Sequence, residues 1–140
     1  MSEQDNTQIV KEAYASFKRG DIPSILNLLA DDIKWFLPGP TDLIPFAGMR
    51  HGREQVGQFF SALDQNQEAK EFEPQEFIAQ GDKVVVLGHY VWRIKATGRE
   101  YASDWAHVFT LRDGKVAGFQ EYYDTNACAD AFRAASAQTA

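Results

Sequence analysis

The chain has 140 residues, 44% of them hydrophobic and 24% charged, with a net charge of −6 at pH 7. That describes one globular domain, residues 1–140, able to bury about two-thirds of its unfolded surface. An acidic balance with no Lys/Arg patch argues against nucleic-acid partners, no apolar run reaches the length of a membrane span, and the polar start MSEQDNTQ has no signal-peptide core.

The single cysteine, Cys128, cannot close an internal disulfide, so a reducing cytoplasm is the expected compartment. In chain order, Ile9, Val10, Ala13, Tyr14 and Phe17 recur at helical spacing, with Asp5 or Asn6 as the expected N-cap. Gly20 should end this helix in a left-handed conformation, and Asp21 should cap a second helix that tolerates Pro23 in its first turn. Ile25, Leu26, Leu28 and Leu29 give that helix its buried side, to an end near Ala30-Asp31-Asp32. Ile33–Leu37 reads as a strand. Pro38, Pro40 and Pro45 then enforce an irregular loop of the kind that rims cavities. A third helix is expected after Gly52, with Val56, Phe59, Phe60 and Leu63 inward, followed by a polar connection over Gln65–Lys70.

From Phe72 the period changes from helical to alternating. Four strands are expected, Phe72–Gln80, Lys83–Ala96, Arg99–Leu111 and Lys115–Asp124, with turns at Gly81-Asp82, Thr97-Gly98 and Asp113-Gly114. Thr125 or Asn126 should cap a final short helix. Helices followed by an antiparallel meander make an α+β domain with helices packed on one sheet face.

Turn geometry decides which side chains meet, because a strand alternates its faces. A two-residue turn at Thr97-Gly98 pairs Ile94 with Tyr101, Trp92 with Ser103, Tyr90 with Trp105 and Gly88 with His107. A three-residue loop Arg112-Asp113-Gly114, with Gly114 left-handed, pairs His107 with Phe119 and Trp105 with Glu121. One face then carries Gly88, Tyr90, Trp92, Ser103, Trp105, His107, Phe109, Phe119, Glu121 and Tyr123. A plain two-residue turn at Asp113-Gly114 would instead bring Tyr122 and Asp124 to that face.

Helix–Gly-Asp–helix, Ala-Asp-Asp at 30–32 before a strand, His-Gly-Arg-Glu at 51–54 and the closing VFTLRDGKVAGFQEYYDT at 108–125 together resemble the nuclear-transport-factor-two-like superfamily. Within it the chain looks most like the SnoaL-like, ketosteroid-isomerase-related bacterial proteins. The resemblance implies a cone: a strongly curved mixed sheet wrapped around three N-terminal helices, a cystatin-like α+β barrel with a short C-terminal helix. It also implies an apolar pocket and a homodimer formed through the sheet. The relatives' catalytic residues do not carry over. The general-base Asp of ketosteroid isomerase corresponds to Leu37, its oxyanion-hole Asp to His107, and its helix-one Tyr to Ala13, one step from Tyr14. The Arg and Asp on the middle strand of limonene-epoxide hydrolase correspond to Gly88 and Tyr90. Its water-holding Tyr and Asn correspond to Trp35 and Leu37, and only Glu121 keeps a carboxylate.

His107 and Glu121 are the candidate catalytic pair, diagonal neighbours on adjacent strands able to act as base and acid beside a carbonyl. A buried structural hydrogen bond is the alternative. Trp35, Tyr90, Trp92, Ser103, Trp105, Phe119, Tyr123 and Tyr14 are the expected lining of a pocket for a small apolar, ring-containing molecule. His51 could stand at its mouth, although an exposed residue fits that position better. Cys128 reads as a buried inert thiol. The three histidines lack ligand spacing, so no metal is expected, and acid–base chemistry needs no cofactor. The chain is thus expected to be an isomerase- or cyclase-type enzyme, with a non-catalytic binding or accessory protein and a plain dimerisation module as rivals.

Overall fold

The computed structural model describes residues 2–139, with side chains through Arg133. Helix α1 (Glu3–Lys18) starts at Ser2 rather than at Asp5 or Asn6. Ser2 and Asp5 form a reciprocal capping box, so Asp5 is the third helical residue and Asn6 lies inside the helix. Gly20, at φ +71°, ends the helix as expected. Asp21 caps α2 (Ile22–Asn27) through the Ser24 amide. That helix is short. Leu29 belongs to β1 (Leu29–Leu37), which begins four residues before the expected strand.

The proline-rich loop leads into β2 (Gly48–His51), a strand the periodicity does not announce. It pairs antiparallel with β1 and runs into α3 (Gly52–Asn66). Strand β3 (Gln67–Gln80) starts well before Phe72; its first residues, expected as a loop, pair with the end of β4 (Lys83–Ile94). Strands β5 (Glu100–Arg112) and β6 (Lys115–Tyr122) complete a mixed sheet of order β2-β1-β6-β5-β4-β3, with β1 and β6 parallel. Bulges interrupt β3 after Ala69 and after Pro74, β1 between Leu29 and Lys34, and the β5–β6 ladder at Thr110/Leu111. Bulges bend and over-twist strands, and here they accompany the strong curvature that wraps the sheet around the helices. Helix α4 (Thr125–Thr139) follows, and Asp124 rather than Thr125 or Asn126 accepts the Ala127 amide at its start. Among the described residues no helix is long and apolar enough to cross a membrane.

Two registers differ from expectation. The loop between β4 and β5 spans Lys95–Gly98, so Trp92 faces Tyr101, Tyr90 faces Ser103 and Gly88 faces Trp105. The next turn is the two-residue Asp113-Gly114, both at positive φ (52° and 77°), the geometry that matches strand twist in a tight hairpin. Taken alone, that turn would reverse the faces of β6. The bulge at Ala117 restores them, pairing Leu111 with Val116 but Thr110 with Gly118. His107 therefore lies directly opposite Glu121 instead of diagonal to it. Both offsets from the expected registers are even, so the aromatic face keeps its membership.

The core is continuous from Val10 on α1 through Ile33, Val56, Val84, Ile94 and Val116, all completely buried. Each such side chain contributes about 1.5–3 kcal/mol of transfer free energy. Gly88 makes room for one ring. The Trp105 indole lies over its backbone, and a Cβ at residue 88 would collide with that ring and stand 2.6 Å from the Glu73 carbonyl oxygen. Gly88→Ala should therefore lower the unfolding free energy by about 3 kcal/mol in urea titrations, the cost of overpacking a tight core. Gly57→Ala, whose Cβ would meet only Leu26 at 3.5 Å, should leave stability unchanged or raise it by about 1 kcal/mol.

Candidate functional site

Strand alternation points His107 on β5 and Glu121 on β6 to the concave side, and packing of α1 across the sheet brings Tyr14 over them. Three short hydrogen bonds link four side chains. The Tyr14 hydroxyl lies 2.6 Å from His107 Nδ1, His107 Nε2 lies 2.6 Å from Glu121 Oε1, and the Tyr90 hydroxyl donates to Glu121 Oε2 at 2.8 Å. All four residues are buried.

Proton bookkeeping along this chain has a simple solution. The Tyr14 hydroxyl has no other partner, so it donates to Nδ1; His107 then carries its proton on Nε2 and donates to Glu121, which accepts from both sides. Trp105 stacks on the imidazole with ring centroids 4.0 Å apart, and Phe119 covers another side at 4.8 Å. The carboxylate thus sits among rings and is held by two donors.

An apolar chamber of about 70 Å³ adjoins this chain, its wall including Tyr14, Trp35, Trp92, His107, Phe119 and Glu121. A groove of about 560 Å³ lies outside it, between α1, α2, α3 and the start of β3, and carries Lys18, Ser61 and Asp64 among apolar residues. Groove and chamber share Phe17, Phe60, Leu63 and Phe72, so these four side chains form the partition between them. The chamber holds a few waters at most. A ring-sized molecule exceeds the chamber but not the groove.

The other expected pocket residues stand elsewhere. Tyr90 and Trp105 are buried behind the wall, one as a donor to Glu121 and the other as the stacking partner of His107. The Ser103 hydroxyl donates to the Asp104 carbonyl and accepts from the Asp124 amide, tying β5 to the start of α4. Tyr123 reaches the Pro38 carbonyl and anchors the proline-rich loop. His51 is exposed at the N-terminus of α3 and borders neither cavity. On the outer sheet face His89 bonds Asp104 at 2.9 Å, beside the exposed Leu87 and Tyr122. Sequence reasoning missed the Tyr14–His107 bond, which joins residues 93 positions apart. In the sequence Tyr14 stands out as an apolar-face helix residue and an expected pocket-lining residue, with nothing to pair it with His107. Among the described residues no group of three or more His, Cys, Asp or Glu side chains is arranged to hold a metal ion.

Burial sets the electrostatics. It pushes the Tyr14 and Tyr90 hydroxyls well above the usual phenol range, and the nearby Glu121 charge adds to both shifts. Burial also pushes the Cys128 thiol up to about 12. These groups hold their protons more tightly in the fold than in the unfolded chain. Their contribution to stability is therefore complete below the ordinary values, 9.0 for the thiol and 10.0 for the phenols, and is lost as pH rises beyond them. The urea midpoint should stay flat from neutrality to about pH 8.5 and then fall. Cys128→Ala should remove the earliest part of that fall, between pH 9.0 and about 12.

The chain is similar in sequence and fold to known proteins. Residues 10–119 match the family model for the SnoaL-like domain. A crystal structure of an NTF2-like protein from Burkholderia xenovorans LB400 superposes with a TM-score of 0.86 at 39% identity, covering 94% of this chain and 98% of that one. An NTF2-like protein of unknown function from Burkholderia pseudomallei K96243 gives 0.84 at 30% identity, with the same coverage of 94% and 98%. TerC, co-crystallised with polyporic acid, gives 0.82 at 28% identity over 92% of this chain and 98% of its own.

Proposed function

The chain belongs to the SnoaL-like domain family, and from that premise we propose that it binds an apolar, ring-containing carbonyl compound and moves a proton at the carbon beside the carbonyl. The observation that carries this is the buried chain Tyr14–His107–Glu121–Tyr90 in the wall of an apolar chamber. Both nitrogens of His107 are engaged within the protein, so the Tyr14 oxygen is where a ligand meets the chain. The ligand's C–H proton passes to the Tyr14 oxygen as the Tyr14 proton passes to Nδ1. The C–H electron pair becomes that of an enolate, and the imidazolium forms against the Glu121 carboxylate, which spreads its charge. Returning the proton to a different carbon isomerises the ligand; attack of the enolate carbon on a second carbonyl closes a ring. No cofactor is required for either outcome.

Binding without turnover is the second possibility, and one observation favours it: every member of the hydrogen-bond chain is satisfied without a ligand, as in a purely structural network. We also expect two copies to associate through the outer sheet face around Leu87 and Tyr122, in a cytoplasmic protein.

Deuterium uptake into 2-tetralone in D₂O, followed by proton NMR, separates the alternatives without knowledge of the natural substrate. The wild type should accelerate uptake beside the carbonyl. Tyr14→Phe, His107→Ala and Glu121→Gln should each lower that acceleration by about 10²–10⁴-fold, with binding measured by calorimetry little changed. Polyporic acid, the compound crystallised with TerC, is a second binding probe. Uptake unaffected in all three variants would sink the acid–base proposal, and tight binding with no uptake would favour the binding protein.

A further inference from the structure

We infer that the indole N–H of Trp35 is the donor that receives the ligand's carbonyl oxygen, an inference resting on the carbonyl-binding function proposed above. The chamber's polar inventory leads to it. Tyr14 spends its one proton on His107, His107 spends its Nε2 proton on Glu121, and the Glu121 carboxylate is an acceptor only. A carbonyl oxygen needs a donor, none of these three is free, and the donors left in the wall are the indole N–H groups of Trp35 and Trp92.

Four buried side-chain polar atoms lack a hydrogen-bond partner among the described residues: Asn6 Oδ1, Trp35 Nε1, Arg50 Nε and Trp105 Nε1. Only Trp35 belongs to the chamber wall. A buried N–H left without an acceptor costs about 1–3 kcal/mol, so an unpartnered donor on a residue of the chamber wall would gain from a ligand's acceptor. Trp35 sits beside the reactive chain. Its ring stacks on Phe119 with centroids 3.9 Å apart, and Phe119 lies 4.8 Å from the His107 ring. Pairing of Trp35 with Phe119 across the parallel β1–β6 ladder fixes that stack.

This assignment narrows the ligand class. The reacting end offers a neutral carbonyl oxygen to Trp35 and an acidic C–H to the Tyr14 oxygen. An ionised carboxylate at that end would face Glu121 in a low-dielectric chamber and be disfavoured. An indole N–H does not titrate, so the donor is present at every working pH. It would hold the developing enolate oxygen more strongly than the neutral carbonyl, as oxyanion donors do.

The test compares 2-tetralone with tetralin, the same ring system without the carbonyl, in the wild type and Trp35→Phe. The variant keeps a ring against Phe119 and removes the N–H; circular dichroism and thermal melting establish that it folds. Loss of the hydrogen bond should weaken 2-tetralone about tenfold and tetralin less than twofold. In ¹⁵N-indole-labelled wild-type protein, 2-tetralone should move the Trp35 N–H proton signal downfield and leave the Trp92 and Trp105 signals in place. Equal weakening of both ligands, or an unmoved Trp35 signal with ketone bound, overturns the inference while leaving the acid–base proposal intact. A moved signal without deuterium uptake upholds the inference and removes the proton-transfer function. No binding of either compound overturns both.

Discussion

A carboxylate carried into an aromatic core has to find hydrogen-bond donors there, and Glu121 finds two, His107 Nε2 and the Tyr90 hydroxyl. Unpaired, a charge at that depth would cost several kcal/mol; paired, it dictates where its neighbours stand. His107 must be opposite it on β5, Tyr90 must reach it from β4, and Tyr14 on α1 must close the remaining nitrogen of the imidazole. Three strands and the first helix are thereby tied to one atom group. The same arrangement leaves the chamber with acceptors on one side and the unpartnered Trp35 indole donor on another.

That alignment depends on small features of backbone geometry. The tight turn at Asp113-Gly114 alone would turn Glu121 away from His107, and the extra residue at Ala117 turns it back. Gly88 lets the Trp105 ring lie flat over the strand, which in turn places that ring against His107. A strongly curved sheet makes the concave side narrow. The rings therefore fill most of it and leave a small chamber behind a wider groove.

Much of this was legible in the sequence because alternation is a local signal. Trp105, His107, Glu121 and Phe119 share a face whatever the exact loop length, provided the offset is even, and both errors of register were even. The strands that went unread are those whose pattern burial does not impose. Gly48–His51 is four residues long with exposed Met49 and His51, and Gln67–Lys70 lies where the edge strand β3 faces solvent on much of its surface. The Tyr14–His107 bond depends on how α1 settles across the sheet, a tertiary fact with no local signature. The Trp35 donor is subtler still. It is defined by a partner that is missing, which only packing reveals.

The direction of the protons along Tyr14–His107–Glu121 is the central claim, and ¹⁵N NMR of the histidine side chains reads it directly. With ¹⁵N-histidine-labelled protein at neutral pH, two-bond correlations assigned through His107→Ala should show His107 protonated at Nε2 and unprotonated at Nδ1. The Nε2 proton should lie far downfield and exchange slowly with solvent, as a short buried bond requires. A proton on Nδ1 instead, or averaged nitrogen signals with rapid solvent exchange, would contradict the chain from which the site's chemistry is built.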